Sequence, residues 1–183
     1  MKQRWIAPLL LAGLGMFSAG SANPRVSRDA LKALEEKFDQ RIQSYNINDP
    51  FELLGNTRGV YLEDYGAVFT SEINLVAAAV VTPFRPRFTK EQIEQLRLKK
   101  VARVEDIKKL MRTMLVDSAL ALSTVPSEQK IAVGVALFRF SWEDSRGIPS
   151  QIVMEAPRRA LADAESGKLD AAGLRAAIRV TEF

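Results

Sequence analysis

The segment over residues 131–140 constrains the fold more than any other part of the sequence, because its alternating pattern is apolar on both faces. The odd positions from 131 to 137 are Ile, Val, Val and Leu, and the even positions are small or aromatic. A strand with two apolar faces is typical of the centre of a sheet. We therefore expect a sheet built around this strand, with residues 151–156 as its antiparallel partner after a turn at 144–147.

A second pair of strands is predicted earlier in the chain. Residues 67–75 alternate between apolar and more polar side chains, and the shorter run 59–62 precedes them. The residues between the two runs, Glu63, Asp64, Tyr65 and Gly66, are typical of a hairpin turn. The pattern therefore predicts two antiparallel strands.

Helical periodicity dominates two other segments. Apolar residues recur at steps of three and four between positions 31 and 45, which predicts an amphipathic N-terminal helix over residues 28–44. Thr89 and Gln92 match the capping-box pattern at the start of a helix. Helical spacing continues from there to about Ser123, as one helix or as two.

The remaining pattern completes an α+β domain. After Pro157 we expect a short helix ending near Gly167, an Ala-rich helix from about Asp170 and a closing strand at 178–182. Hydrophobic residues make up 47% of the 183 positions, enough for one packed core. The predicted fold is a two-layer, mainly antiparallel sheet of four or five strands packed against two or three helices, with the amphipathic N-terminal helix. Residues 23–183 form the predicted single domain.

Residues 1–22 have the layout of a cleavable secretory signal peptide. Lys2 and Arg4 precede an apolar run over residues 5–17, and small residues follow as far as Ala22. This run is shorter than the roughly 20 residues that a membrane-spanning helix needs, so we expect cleavage after Ala22 rather than a transmembrane anchor. Ala19 is an alternative cleavage position. The predicted location is the bacterial periplasm or the exterior of the cell.

The composition excludes most familiar catalytic chemistry. The chain has no cysteine and no histidine, so it has no thiolate nucleophile, no imidazole base and nearly no route to a zinc site. Ser127 and Lys130 match the spacing of a serine–lysine dyad, but Pro126 and the strand that begins at Lys130 argue against the helical turn that the dyad requires. We therefore predict no catalytic residue, no metal and no cofactor.

Positive charge is concentrated in one segment. Residues 84–112 hold ten Lys and Arg against four Asp and Glu, a net charge of +6, while the segments before and after are mildly acidic. Lys108, Lys109 and Arg112 are the candidate contact residues there, for an acidic protein partner; the alternative is an ordinary solvated helix surface. No nucleic-acid-binding module is visible. Asp64 and Tyr65, in the predicted hairpin turn, are the second candidate contact.

The leading functional hypothesis is an exported, non-enzymatic binding protein of the bacterial cell envelope. One alternative is a small-ligand-binding module, which needs a cavity beside the aromatic row Phe138, Phe140 and Trp142; packing of that row beneath a helix is the simpler interpretation. The other is a carboxylate-dependent hydrolase acting on an envelope polymer. A hydrolase requires at least two carboxylates to converge in a cleft, and the candidates are Glu63, Asp64, Glu72, Glu143 and Asp144. The oligomeric state has no sequence signal.

Overall fold

A computed structural model describes residues 26–77 and 88–183, and it confirms the α+β class. The predicted signal peptide lies outside the described residues. Within them no helix has the length and apolar character needed to cross a bilayer. The elements, in chain order, are α1 (Arg28–Ser44), β1 (Glu52–Leu53), β2 (Arg58–Leu62), β3 (Gly66–Asn74), α2 (Lys90–Ala121), β4 (Lys130–Leu137), β5 (Gln151–Pro157), α3 (Arg158–Glu165), α4 (Ala171–Ala177) and β6 (Arg179–Glu182).

The sheet has six strands, one more than the predicted maximum, because β1 contributes a strand of only two residues. Both β1 and β2 lie along one edge of β3, and the sheet continues through β4 and β5 to β6. Strands β3 and β4 are parallel, while the other pairings are antiparallel. The sheet is therefore mixed. The predicted central position of β4 is confirmed, since it lies between β3 and β5.

The parallel pair needs a crossover connection, and α2 lies within it. The helix runs without interruption for 32 residues. Thr89 accepts a hydrogen bond from the Gln92 backbone N–H, and the Gln92 side chain accepts one from the Thr89 N–H, so the predicted capping box is confirmed. The helical segment between residues 90 and 121 is thus one helix. The sequence pattern was compatible with either one helix or two.

A single core lies between the helices and one face of the sheet. Phe69 of β3 packs edge to face against Phe38 of α1, with ring centroids 5.0 Å apart. Alternate residues along β4, including Val133 and Val135, are fully buried in the same cluster as Met111 of α2. Helices α1, α2 and α3 all contribute buried side chains to this cluster.

The side chains on the other face of the sheet form what we call the open face. Its membership follows from the register and from the alternation of side chains along each strand. The open face consists of Arg58, Val60 and Leu62 on β2; Val68, Thr70 and Glu72 on β3; Lys130, Ala132, Gly134 and Ala136 on β4; Gln151, Val153 and Glu155 on β5; and Arg179 and Thr181 on β6.

The predicted aromatic row lies outside the sheet, so its assignment to a strand packed beneath a helix is wrong. Strand β4 ends at Leu137, and Phe138, Phe140 and Trp142 follow in the next loop, where each is half-buried. Trp142 stacks between Phe140 and Phe88, at centroid distances of 5.5 and 4.3 Å. The strand ends there because β3 ends at Asn74 and β5 begins only at Gln151, which leaves residues beyond 138 without neighbouring strands.

Candidate functional site

The three basic residues proposed from the sequence lie on α2 but differ in their surroundings. The Lys108 ammonium contacts Glu182 at 2.6 Å and Glu105 at 2.9 Å, and its side chain is only 12% exposed. Burial opposes the charge, but the two hydrogen-bonded carboxylates outweigh it and raise the pKa of Lys108. Lys109 is exposed and pairs with Asp106 at 3.3 Å, and Arg112 is half-buried. The structure therefore places Lys108 within an internal ion pair rather than on a free basic surface.

Other cations among the described residues of the positive segment also pair with carboxylates, some of them distant in sequence. Lys99 and Arg103 both contact the Asp49 carboxylate, at 3.0 and 3.3 Å. Arg97 reaches Asp144 at 3.9 Å and forms a closer pair with Glu94 on its own helix. The charge asymmetry of the sequence is thus largely compensated within the fold, which the sequence alone did not reveal.

One of these pairs is buried. The Lys100 ammonium lies 2.5 Å from Glu143 Oε2, and both side chains are only 3% exposed. The same ammonium donates to the Phe138 carbonyl oxygen at 3.4 Å. Glu143 Oε1 has no hydrogen-bond partner. The pair joins α2 to the loop that follows β4.

The predicted hairpin contact lies at one end of the open face. The Tyr65 hydroxyl donates to Glu155 Oε2 at 2.5 Å, and Lys130 and Arg179 approach the other carboxylate oxygen at 2.9 and 3.7 Å. Burial, then the hydrogen bond to Glu155, raises the pKa of Tyr65 to about 12. The same hydrogen bond and the two cations lower the pKa of Glu155. Tyr65 is therefore a neutral hydrogen-bond donor that anchors the turn to the sheet.

Asp64, the neighbouring candidate, occupies the tip of the turn. Its φ is +62°, a left-handed conformation that Asp tolerates better than most residues. Gly66 follows at φ +127°, and a Cβ there would lie 1.9 Å from the Lys130 carbonyl oxygen. The sequence-predicted turn is confirmed, and only a glycine allows β3 to approach β4 this closely at its first residue.

A polar concavity of about 310 Å³ lies at the far end of the open face. It begins where β1 and β2 separate along β3, and crosses β3 to reach β4. The lining residues are Leu54, Asn56, Arg58, Thr70, Ser71, Glu72 and Ala136. Sequence analysis named Glu72 only as a possible acid and did not identify Arg58. The available signal was that both stand at polar positions of period-two strands, facing the same side.

The five carboxylates named for a hydrolase lie in separate environments. Glu72 lines the concavity on the open face, while Asp144 lines a different one of about 350 Å³ at the start of α2. Hydrogen bonds from Arg146 lower the pKa of Asp144 to about 2. Glu143 is buried against Lys100, and Glu63 and Asp64 lie in the hairpin turn. These positions do not assemble an acid–base pair.

The aromatic rings and the acidic residues are also possible ligand contacts. The lining of neither concavity includes an aromatic side chain. Over residues 26–77 and 88–183, no group of three or more Asp and Glu has the arrangement of a metal site. The open face, with the hairpin at one end and the polar concavity at the other, is therefore the best candidate binding surface.

Comparison with protein-family models, with curated proteins and with solved structures finds no match to this chain, so the argument for its function rests on the geometry described above.

Proposed function

We propose that this chain is an exported protein of the bacterial cell envelope, located in the periplasm or secreted, that works by binding another protein through the hairpin end of the open face. The role is binding rather than catalysis, because the candidate carboxylates lie apart and the open face offers a broad surface. The observation that carries the proposal is the exposure of Val60 and Leu62, at 48% and 45%, on that face of the edge strand β2.

The floor of the face supports a docking role. Ala132, Gly134 and Ala136 alternate along the central strand, so the middle of the sheet presents almost no side-chain bulk. Thr70 and Val153 stand on either side of Gly134, each about 4 Å from where its Cβ would lie. Ala132 is 2% exposed and Gly134 is buried, so a partner would contact the larger side chains on either side rather than the backbone of β4.

Charge on the open face favours a partner that is apolar and mildly acidic. Arg58, Lys130 and Arg179 face Glu72 and Glu155, which gives the face a net charge of +1. Arg179 is 74% exposed and shares its carboxylate with Lys130, so both cations retain hydrogen-bonding capacity. Such complementarity accelerates association and selects the partner.

The surface of α2 remains the rival contact, through Lys109 and Arg112. We favour the open face because Lys108, the third member of the basic set, already has two carboxylates in contact. Replacing Lys108 by Glu would bring three carboxylates together and destabilise the fold, so that substitution does not test binding.

The experiment uses a photo-crosslinking amino acid at Val60, at Lys109 or at Ile47 in the full-length chain, expressed in a bacterial host. Ile47 is the control, because it is 89% exposed and lies outside the open face. We expect one crosslinked protein from Val60 and none from Ile47. The same protein crosslinked from Lys109 alone would place the contact on α2 and overturn the proposal, as would equal crosslinking from all three positions.

The crosslinked protein is then purified and titrated against variants of the mature chain. Val60→Glu should weaken binding by about tenfold or more, whereas Val60→Lys should weaken it less because the proposed partner is acidic. Ile47→Glu is the matched control and should bind like the wild type. Equal effects of Val60→Glu and Ile47→Glu would exclude the open face.

Export is tested separately. Fractionation of cells and intact-mass measurement should find the mature chain beginning at Asn23 in the periplasm or the medium. Deletion of residues 2–22 should retain the protein in the cytoplasm. An uncleaved chain in the cytoplasm would contradict the predicted location, whatever the crosslinking shows.

A further inference from the structure

The polar concavity at the far end of the open face holds two opposite charges that do not pair with each other. Arg58 lies opposite Thr70 in the register of β2 and β3, and Glu72 is two residues further along β3 on the same face. Such diagonal positions are about 7–8 Å apart, within reach of long side chains. Both side chains are exposed, and neither forms an ion pair within 4.0 Å with a residue that the structure describes.

Several other cations among the described residues are paired with carboxylates. Lys108, Lys130 and Arg97 each contact one or more carboxylates. In the concavity, by contrast, Arg58 and Glu72 line the same 310 Å³ space and form no ion pair within the part of the chain that the structure describes. Asn56 and Thr70 add an amide and a hydroxyl to the lining.

We propose that this concavity binds a small zwitterion, the ammonium and carboxylate of an amino acid or a short peptide. Arg58 receives the ligand carboxylate, for which the planar guanidinium offers two parallel donors. Glu72 accepts from the ligand ammonium. Ala136, at the inner end of the concavity, leaves room for a small apolar side chain.

The size of the site agrees with this class of ligand. A volume of about 310 Å³ is at the lower end of the range for small-molecule pockets, which suits a ligand of one or two residues. The inference goes beyond the proposed protein contact, since the concavity and the hairpin lie at opposite ends of β3, from Asn74 to Gly66.

The test is a titration of the mature chain with the dipeptide alanyl-alanine, followed by the backbone amide shifts of Thr70 and Ala136 in NMR spectra. Two blocked forms serve as comparisons: N-acetyl-alanyl-alanine lacks the ammonium, and alanyl-alanine amide lacks the carboxylate. We expect the unblocked dipeptide to shift both amides and each blocked form to bind about tenfold more weakly. Free alanine distinguishes an amino acid from a peptide as the ligand. If it binds as tightly as the dipeptide, the ligand is a single amino acid.

Two variants assign the roles within the site. The Arg58→Gln variant should bind the dipeptide and its amide with equal affinity, because the guanidinium that binds the ligand carboxylate has been removed. Glu72→Gln should bind the dipeptide and its N-acetyl form equally. Arg139→Gln, at an exposed position outside the concavity, is the matched control and should keep both preferences.

Three results would overturn the inference. The first is the absence of shifts at Thr70 and Ala136 with about 10 mM dipeptide, a concentration that fills most of a site with millimolar affinity. The second is equal binding of the blocked and unblocked forms by the wild-type chain. The third is an Arg139→Gln variant that loses the preference for the dipeptide over its amide to the same extent as Arg58→Gln. Each leaves crosslinking from Val60 unaffected, so failure of this site is distinguishable from failure of the protein contact.

Discussion

Replacing Lys100 by Met should destabilise the protein strongly, because it would leave the Glu143 carboxylate buried without a counter-ion. Glu143 is 3% exposed, its Oε2 atom contacts only the Lys100 ammonium at 2.5 Å among the described ion pairs, and its Oε1 atom already has no hydrogen-bond partner. Removing one partner of a buried ion pair lowers the free energy of unfolding by about 3–5 kcal/mol. That loss is a large part of the roughly 5–15 kcal/mol that holds a typical domain folded.

Two further variants test the reasoning. Lys99→Met removes the neighbouring lysine, which is 48% exposed in its pair with Asp49, and should change stability by about 1 kcal/mol or less. The double variant Lys100→Met, Glu143→Leu removes both buried charges and should be far more stable than Lys100→Met alone, within about 1 kcal/mol of the wild type.

Urea unfolding of the mature chain at pH 7 measures the wild type, these three variants and Glu143→Leu alone, provided that their m-values agree. A double-mutant cycle then gives the coupling between the two residues. Equal destabilisation by Lys100→Met and Lys99→Met would refute the burial of the pair. A double variant as unstable as the sum of its single variants would show that the two side chains do not interact.

Three further predictions, tested by four substitutions, concern the sheet, the turn and the helix start. Gly66→Ala should lower the free energy of unfolding by about 2 kcal/mol or more, because the φ of Gly66 is +127° and the new Cβ would lie 1.9 Å from the Lys130 carbonyl oxygen. Gly134→Ala is the control and should be neutral or stabilising, since its Cβ would make only ordinary contacts. Equal urea midpoints for the two variants would contradict the register of β3 with β4. The pKa of Tyr65 is about 12 in the folded chain against 10 for a free phenol. The neutral Tyr65 hydroxyl therefore contributes its full stabilisation below pH 10, and this contribution is lost as the pH rises to about 12. Tyr65→Phe should therefore flatten the alkaline decline in melting temperature, and an unchanged decline would argue against the hydrogen bond to Glu155. Thr89→Ala should lower stability by about 1 kcal/mol in the same urea assay, and no change would exclude the capping box.

Local patterns predicted most of the secondary structure because they depend on neighbouring residues. The helix over residues 28–44 and the hairpin around Asp64 are found where the spacing and the turn residues placed them. The parallel pairing of β3 with β4 was beyond such patterns, because it depends on contacts across the whole of α2. The end of β4 at Leu137 was equally non-local, since it is set by where the neighbouring strands stop.

The candidate site was predictable only in part. Asp64 and Tyr65 follow from the turn signal, although the hydrogen bond from Tyr65 to Glu155 joins residues 90 positions apart. The basic residues of α2 formed the clearest charge pattern in the sequence, yet their partners Asp49 and Glu182 come from the connection before β1 and from the last strand, β6. A run of like charge therefore located the basic residues of α2 but not the carboxylates that pair with them.

The charged side chains on the open face explain why it is a surface rather than an incomplete core. A helix packed there would have to cover the row formed by Val60, Val68, Ala132, Glu155 and Arg179, which are register neighbours across five strands. The last two positions of that row are charged and the central one is too small to pack against a helix, so covering them would bury polar groups for little apolar area. An apolar and mildly acidic partner resolves this conflict, because it can cover Val60 and Val68 while its carboxylates reach Arg179. The distribution of side chains across the sheet is therefore one that the proposed partner would complement.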